Sequence, residues 1–178
     1  MRKTLLFLFL LTILGAIPAR AQENYEIQVY PSETMAPHTT MFELHSNFTF
    51  KGNKTGEDGM YPTNRALHET IEITHGWNAW SETGFYIFTA ARSGQGYDFV
   101  GTHIRPRVRV PEDRHWPVGV SMSGEIGYQR AKYSADTWTI ELRPIIDKRV
   151  DRWYFSFNPT MGGSLKGPGV KDGIEFEP

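Results

Sequence analysis

The chain has 178 residues, of which 19 are Lys or Arg and 20 are Asp or Glu, and it contains no cysteine. This charge balance argues against a nucleic-acid-binding protein, which normally carries a basic excess, and the lack of cysteine excludes disulfides and thiolate metal sites. No stretch after residue 21 is apolar and long enough for a membrane helix, so this chain could enter a membrane only as strands.

The N-terminus predicts a cleaved secretory signal peptide over residues 1–21. Arg2 and Lys3 form a charged region, residues 4–17 form an apolar run, and the Ala-Arg-Ala sequence at 19–21 fits a cleavage site. A membrane anchor is the weaker alternative, because the apolar run is short for a span. Cleavage would remove three basic residues and no acid, so the exported chain would be mildly acidic.

The rest of the chain divides into an N-terminal periplasmic segment, residues 22–38, and a strand-rich domain, residues 39–178. Apolar and polar residues alternate with period two in most of the candidate strands, which is typical of half-buried strands. The strands are predicted at residues 41–51, 67–76, 80–91, 101–110, 116–130, 137–149 and 152–161, with residues 25–31 as a further candidate. Residues 80–91 are apolar on both faces and give no register. The connections need no crossover helix, so we predict an all-β fold, an antiparallel up-and-down meander.

Residues 101–110 place a basic row on one face of a strand. His103, Arg105, Arg107 and Arg109 occupy every second position, and the residues between them are apolar or proline. Alternation in the other strands adds carboxylates and further cations to the same face. The residues predicted to share it are Glu43, His45, His68, Glu72, His103, Arg105, Arg107, Arg109, Glu125, Glu141, Arg143 and Asp147. Pro106 interrupts this strand, as Pro144 and Pro159 interrupt later ones, and the sequence offers no reason for them.

The length of the strands and the aromatic residues at their ends favour a transmembrane β-barrel. Strands in soluble proteins average five or six residues, whereas transmembrane strands need about nine to eleven and end in aromatic girdles. The predicted girdle residues are Trp77, Trp80, Tyr97, Trp116, Trp138 and Trp153. Exposing three arginines of the basic row to lipid would cost roughly 6–12 kcal/mol. The charged face is therefore expected to point into the lumen.

A charged lumen leaves two functions open. It could be a salt-bridged interior with a structural role, or a porin-like or transporter-like channel for small anionic or aromatic solutes. A secreted or periplasmic lipocalin-like barrel that binds a small ligand is the alternative. The alternation of polar and apolar residues does not show which of the two faces points into the barrel. A metal site could combine His45, His68 and His103 with Glu43 or Glu72, but no spacing enforces it. We therefore predict no metal, no cofactor and no catalytic site.

Four runs carry a resemblance to a known group of proteins: "LHSNFTFKG", "LHETIEITHGW", "GTHIRPRVRVPEDRHWPVGVSMSGEIGYQR" and "RWYFSFNPT". They resemble uncharacterised bacterial outer-membrane β-barrel proteins similar to the family named for the meta-cleavage pathway of phenol degradation. The resemblance covers about residues 25–178. It implies the outer membrane of a Gram-negative bacterium as location, membrane lipid and a small hydrophobic or aromatic solute as partners, and no catalytic motif. Because such proteins look longer, we expect an incomplete barrel that lacks strands after Pro178.

Overall fold

A computed structural model describes residues 29–56 and 58–177, and most of them lie in one antiparallel sheet. The strands are β1 (Thr40–Thr49), β2 (Ala66–Asn78), β3 (Ser81–Arg92), β4 (Gly96–Arg109), β5 (Gly119–Gln129), β6 (Trp138–Val150), β7 (Trp153–Phe157), β8 (Thr160–Lys166) and β9 (Ile174–Glu177). They pair in the order β1-β2-β3-β4-β5-β6-β8-β9, and β7 also pairs with β6. Two short 3-10 helices, Glu112–Arg114 and Pro168–Asp172, lie in connections. The predicted all-β class and antiparallel meander are confirmed, but the sheet is not closed, so the barrel stays a prediction.

None of the helices in the described ranges has the length and apolar character needed to cross a membrane. The predicted signal peptide, residues 1–21, lies outside the described residues.

The register between strands assigns every side chain to one of two faces, because residues opposite each other in a sheet share a face. Arg107 pairs with Glu82 of β3 on one side and with Ser123 of β5 on the other. We call the face that carries these residues the polar face. Ile104 pairs with Phe85 and with Ile126, and we call the face that carries them the apolar face.

The sequence of β3 does not indicate which of its residues lie on which face, because both faces are apolar. Pairing with the neighbouring strands determines it. Glu82, Tyr86 and Phe88 lie on the polar face and are buried, whereas Phe85 is exposed on the apolar face. The single acidic residue of the strand therefore lies opposite the basic row of β4. This placement makes Glu82 part of the charged network described below.

The predicted strand over residues 152–161 is divided into β7 and β8, and two prolines explain the division. Leu142 of β6 pairs with Met161 of β8, and Ile146 pairs with Phe157 of β7, so both strands follow β6 in the same register. That register places Pro144 directly opposite Pro159. Neither proline has an N–H to donate, so the ladder is interrupted between them.

A second gap in the hydrogen-bond ladder lies at Pro106. Strand β4 pairs with β5 up to Ile104 and again from Arg107, and the two residues between them have no partners in β5. Pro106 still pairs with Thr83 of β3 on its other side. Each of the three prolines thus lies at a local gap in the hydrogen-bond ladder on one side of its strand. The strand register is the same before and after each gap.

The aromatic residues predicted to form girdles lie at both ends of the sheet, and all are exposed. Trp77, Trp80, Trp116 and Trp153 lie at the end where β1 begins, which we call the first end. Tyr97 and Trp138 lie at the opposite, second end, where β4 and β6 begin. The predicted placement at strand ends is therefore observed, and the contact of these residues with a membrane stays a prediction.

Residues 29–38, the described part of the predicted N-terminal segment, lie against the polar face. Val29–Pro31 form no strand, so the candidate strand over residues 25–31 is wrong in its described part. The segment is instead held by side chains of the sheet, as the site below explains, and it enters β1 through a turn in which His38 N–H donates to Gly76 O at 2.7 Å. Its periplasmic location stays a prediction.

Candidate functional site

The polar face gathers all twelve of the charged and histidine residues predicted to share a face. The register links them from strand to strand: Glu43 opposes Glu72, Glu125 opposes Glu141, and Ser123 opposes Arg143. Many of these side chains are buried, although a sheet that is not closed does not by itself enclose them. They are covered by one another, by residues 29–38 and, toward the second end, by aromatic side chains, so the polar face is a packed layer rich in charges.

Glu72 and Arg105 form an ion pair near the middle of this layer. Arg105 Nη2 donates to Glu72 Oε1 at 2.8 Å, and the hydroxyl of Thr74 donates to the same oxygen at 2.7 Å. Both charged side chains are almost fully buried. A buried ion pair gives little net stability, but removing one partner leaves an uncompensated charge and is costly.

Glu82 and Arg107 form a second buried pair, which also binds the N-terminal segment. Arg107 Nη2 lies 2.6 Å from Glu82 Oε1. The other carboxylate oxygen accepts a hydrogen bond from Met35 N–H at 2.6 Å, and Arg107 Nη1 donates to Pro31 O at 3.0 Å. The pair therefore forms hydrogen bonds to backbone groups of the segment. Hydrogen bonds with an ionised partner are stronger than those between neutral groups.

Tyr30 covers the arginines of the polar face. Its ring centroid lies 4.4 Å from the guanidinium carbon of Arg105 and 5.2 Å from that of Arg143, distances typical of cation–π contacts. Burial raises the pKa of Tyr30 to about 12, and the positive charge of Arg105 only partly offsets it. Tyr30 is thus a neutral aromatic ring that packs over arginines which are already paired with carboxylates.

The same segment is fixed to the far side of the sheet. Tyr30 N–H donates to Asn158 Oδ1 at 2.7 Å, and the hydroxyl of Ser156 donates to Tyr30 O at 3.0 Å. Ser32 donates to Asp147 through both its N–H and its hydroxyl, at 2.6 and 2.8 Å. Tyr154 donates to Asp147 as well. The segment therefore bridges β3 and β4 to β6 and β7.

Three further ion pairs account for most of the remaining predicted residues. His103 Nδ1 lies 2.5 Å from Glu125 Oε1, and Arg143 Nε donates to Glu141 Oε1 at 2.8 Å. Arg109 Nη2 donates to Glu112 Oε1 at 3.0 Å, and this pair lies at the exposed first end. The basic row of β4 is thus paired along its whole length with carboxylates of this chain.

The metal ligands suggested by the sequence are only partly brought together. Ligand atoms of Glu43, His45 and Glu72 lie within 4.8 Å of one another. His103 is bound to Glu125 instead, and His68, which is buried on the same face, does not belong to this group of three.

Loops close the polar face at the second end. The guanidinium carbon of Arg92 lies 5.1 Å from the ring centroid of Tyr61 and 4.9 Å from that of Tyr133. Tyr61 comes from the loop between β1 and β2 and Tyr133 from the loop between β5 and β6, and Tyr61 N–H donates to Lys132 O at 2.7 Å. Beneath them Phe88 and other apolar residues form a small core.

A cavity of about 710 Å³ remains between residues 29–35 and strands β1 and β2. Its walls include Glu43, His45, Glu72 and Arg105. This space is large enough to hold water or a small solute.

The sequence analysis missed the residues that complete the network: Tyr30, Ser32, Glu82, Tyr86 and Tyr154. Glu82 had a usable signal, since it is the only charged residue of residues 80–91 that could meet the basic row. Nothing local in the sequence indicates that residues 29–38 lie on the sheet.

Comparisons of this chain with models of protein families, with curated proteins and with solved structures gave no match.

Proposed function

We propose that this chain forms part of the wall of a bacterial outer-membrane β-barrel, with the polar face toward the interior and the apolar face toward lipid. One observation carries the proposal: charged side chains of the polar face are buried, whereas large aliphatic and aromatic side chains of the apolar face are exposed. Soluble monomers rarely expose a continuous apolar surface of more than a few hundred Å². Hydrocarbon is the environment that such a face requires.

The opposite orientation has a high cost. Turning Arg105 and Arg107 toward lipid would cost roughly 2–4 kcal/mol each, in addition to the loss of their ion pairs with Glu72 and Glu82. The lipocalin-like alternative predicts an apolar covered side and a polar exposed side. The burial of the described residues has the reverse pattern, which favours the membrane orientation.

The spacing of the aromatic residues fits a bilayer. Trp138 begins the 13-residue β6, and Val150, which ends it, pairs with Trp153. At about 3.3 Å per residue these tryptophans lie about 40 Å apart along the strand. At the tilt of about 35–45° usual in barrels, this becomes about 30 Å along the membrane normal, which is the thickness of the hydrocarbon core.

Membrane insertion requires that both edges of the sheet be paired. Within these residues β1 and β9 each pair on one side only. Unpaired backbone groups are not tolerated in hydrocarbon, so in a bilayer both edges have to pair, with each other or with further strands.

The interior of this barrel is proposed to be structural, because its charges are paired within the chain and covered by Tyr30. A porin-like or transporter-like path for small anionic or aromatic solutes is the second candidate, and the 710 Å³ cavity beside Arg105 and Arg107 favours it. A catalytic role is not proposed.

The orientation can be tested with single cysteines, since the chain has none of its own. Spin labels at Ile104→Cys and Leu142→Cys on the apolar face should collide with lipid-dissolved oxygen more often than with a water-soluble nickel chelate. A label at Thr139→Cys, on the polar face of β6, is the matched control and should not contact lipid. The unlabelled chain should pellet with outer membranes and migrate differently on gels before and after heating.

Water-exposed labels at both apolar-face positions, together with release of the chain by osmotic shock, would instead support the lipocalin-like alternative. The channel candidate is tested separately by conductance in planar bilayers. Arg109→Gln is the most useful variant, because it removes a charge of the basic row and leaves the two buried pairs intact. A conducting wild type whose anion preference falls in this variant supports a solute path, and a silent wild type supports the structural role.

A further inference from the structure

We propose that Glu43, His45 and Glu72 form a binding site for a divalent first-row transition metal ion such as Zn²⁺. The site lies where β1 forms one edge of the sheet. All three ligands lie on β1 and β2, and the site does not depend on the proposed membrane location. It also departs from the expectation of the sequence analysis, which predicted no metal.

The three side chains are already close to coordination geometry. Glu43 lies directly opposite Glu72, and His45 follows Glu43 on the same face. His45 Nε2 lies 3.3 Å from Glu72 Oε2 and 3.9 Å from Glu43 Oε2. A tetrahedral Zn²⁺ with bonds of about 2.0–2.2 Å holds its ligand atoms about 3.3–3.5 Å apart. The ligand atoms of all three residues lie within 4.8 Å of one another, and Glu43, whose side chain is 46% exposed, is the one with room to move to the shorter spacing.

The charges at this position call for a cation. Carboxylates directly opposite each other on neighbouring strands repel. The sheet contains a second such pair, Glu125 and Glu141, where Glu125 contacts His103 and Glu141 is paired with Arg143.

In the Glu43–Glu72 pair, likewise, only one carboxylate has a permanent cation: Glu72 is paired with Arg105. The one basic side chain within 4.0 Å of Glu43 among the described residues is His45, which is charged only when protonated. A metal ion bound between the two carboxylates would neutralise Glu43 and screen the repulsion between Glu43 and Glu72.

Glu72 is oriented to offer one oxygen to this site. Arg105 and Thr74 both donate to Oε1, which leaves Oε2 directed toward His45. Such outer hydrogen bonds fix the orientation of metal ligands in proteins and raise metal affinity. Arg105 therefore acts as a positioning residue for the site, while the ligands are Glu43, His45 and Glu72.

One imidazole nitrogen with two carboxylate oxygens suits Zn²⁺ and its first-row neighbours, since imidazole favours Zn, Fe, Ni and Cu. Three protein ligands leave a fourth position for water. The 710 Å³ cavity lined by all three residues supplies room for that water and a path for the ion. Thr34 Oγ1, a buried oxygen with no hydrogen-bond partner among the described residues, lines the same cavity and is available to a bound water.

The test is a calorimetric titration of the purified full chain, without a histidine tag, with ZnCl₂. We expect one equivalent to bind, and we expect His45→Ala and Glu43→Gln each to weaken binding by about tenfold or more. Zn²⁺ should also raise the midpoint of thermal unfolding of the wild type and not that of His45→Ala. Glu43→Gln is a gentle variant because Glu43 is exposed, so a loss of binding there is not a loss of folding.

His115→Ala is the matched control, since His115 is an exposed loop residue at the first end. Unchanged binding in this control, with weakened binding in the two site variants, supports the proposal. The proposal is overturned if the wild type does not bind Zn²⁺, or if His45→Ala and Glu43→Gln bind it as tightly as the wild type.

Discussion

On the polar face of β4, Arg105 and Arg107 are 3% and 6% exposed, whereas on the apolar face of the same strand Ile104 and Val108 are 47% and 46% exposed. The usual relation between polarity and burial is therefore inverted within a single strand. The polar face obtains its partners from within the chain: carboxylates of β2 and β3, and backbone groups of residues 29–38. The apolar face has no comparable cover among the described residues.

The polar face finds its interaction partners within the chain, whereas the apolar face depends on its surroundings for contacts. The charged network is complete enough to be formed by the protein alone, so its stability should respond to the loss of single partners. The apolar face should respond to its environment instead, and substitutions there should report whether that environment is lipid.

The largest effect is expected from Glu82→Ala on the polar face. The change leaves Arg107 buried without its carboxylate and removes the acceptor of Met35 N–H. Loss of one partner of a buried ion pair costs about 3–5 kcal/mol, which chemical unfolding in detergent measures. Glu112→Ala is the matched control, because Glu112 also pairs with an arginine of the basic row but its side chain is 83% exposed. An equal loss in both variants would mean that Glu82 is not buried in the folded protein.

A charge on the apolar face should have the next largest effect. Ile104→Arg, near the middle of β4, should reduce the free energy of unfolding in lipid vesicles by about 2–4 kcal/mol if the face contacts hydrocarbon. Val108→Arg, one residue before the end of the strand, should cost less, because the penalty falls to about 0–1 kcal/mol near the membrane interface. Two small and equal effects, within about 0.5 kcal/mol as on a water-exposed surface, would contradict the proposed orientation.

Alkaline pH should weaken the cover of the polar face. The pKa of Tyr30 is raised to about 12 in the folded protein, against about 10 when unfolded. Between these values the folded state binds more protons than the unfolded state, so the free energy of unfolding falls as pH rises, by about 1.4 kcal/mol at pH 11. The free energy of unfolding should be measured for the wild type and for Tyr30→Phe at pH 9 and at pH 11. Its decrease between the two pH values should be smaller in the variant, by about this amount. Equal pH dependence in the two proteins would mean that Tyr30 is exposed.

The smallest effect is expected from Ser156→Ala, which removes the hydrogen bond to Tyr30 O. The loss should be about 0.5–1.5 kcal/mol, seen as faster hydrogen exchange of the Tyr30 and Ser32 amides. Ser134→Ala is the matched control, because Ser134 makes a similar bond to Asp136 O in a loop that does not contact the segment. Faster exchange of the segment amides in both variants would show that the bond from Ser156 does not hold the segment.

Period-two alternation was sufficient to predict the faces of the strands. The basic row of β4 set a parity that proved correct for Glu43, Glu72 and Asp147 in other strands, because side chains in a sheet have only two directions. Alternation could not orient residues 80–91, where both faces are apolar. Glu82 is placed there by pairing with its neighbours, which is a property of the assembled sheet.

Contacts distant in sequence limited the prediction elsewhere. Residues 29–38 contain no pattern that distinguishes a tail from a covering segment, and their partners, such as Asp147 and Asn158, lie more than a hundred residues away. Pro144 and Pro159 looked like separate defects in the sequence. Only their opposition across the ladder shows that they share a single gap.

The anchoring of Tyr30 also sets an order of events during folding. Its bonds to Asn158 and Ser156 span 128 and 126 residues, so Tyr30 cannot be fully anchored before the chain around β7 is in place. Contacts of such high contact order form slowly, because a long loop has to close first. We therefore expect the final anchoring of Tyr30 over the arginines of β4 to be a late step in folding.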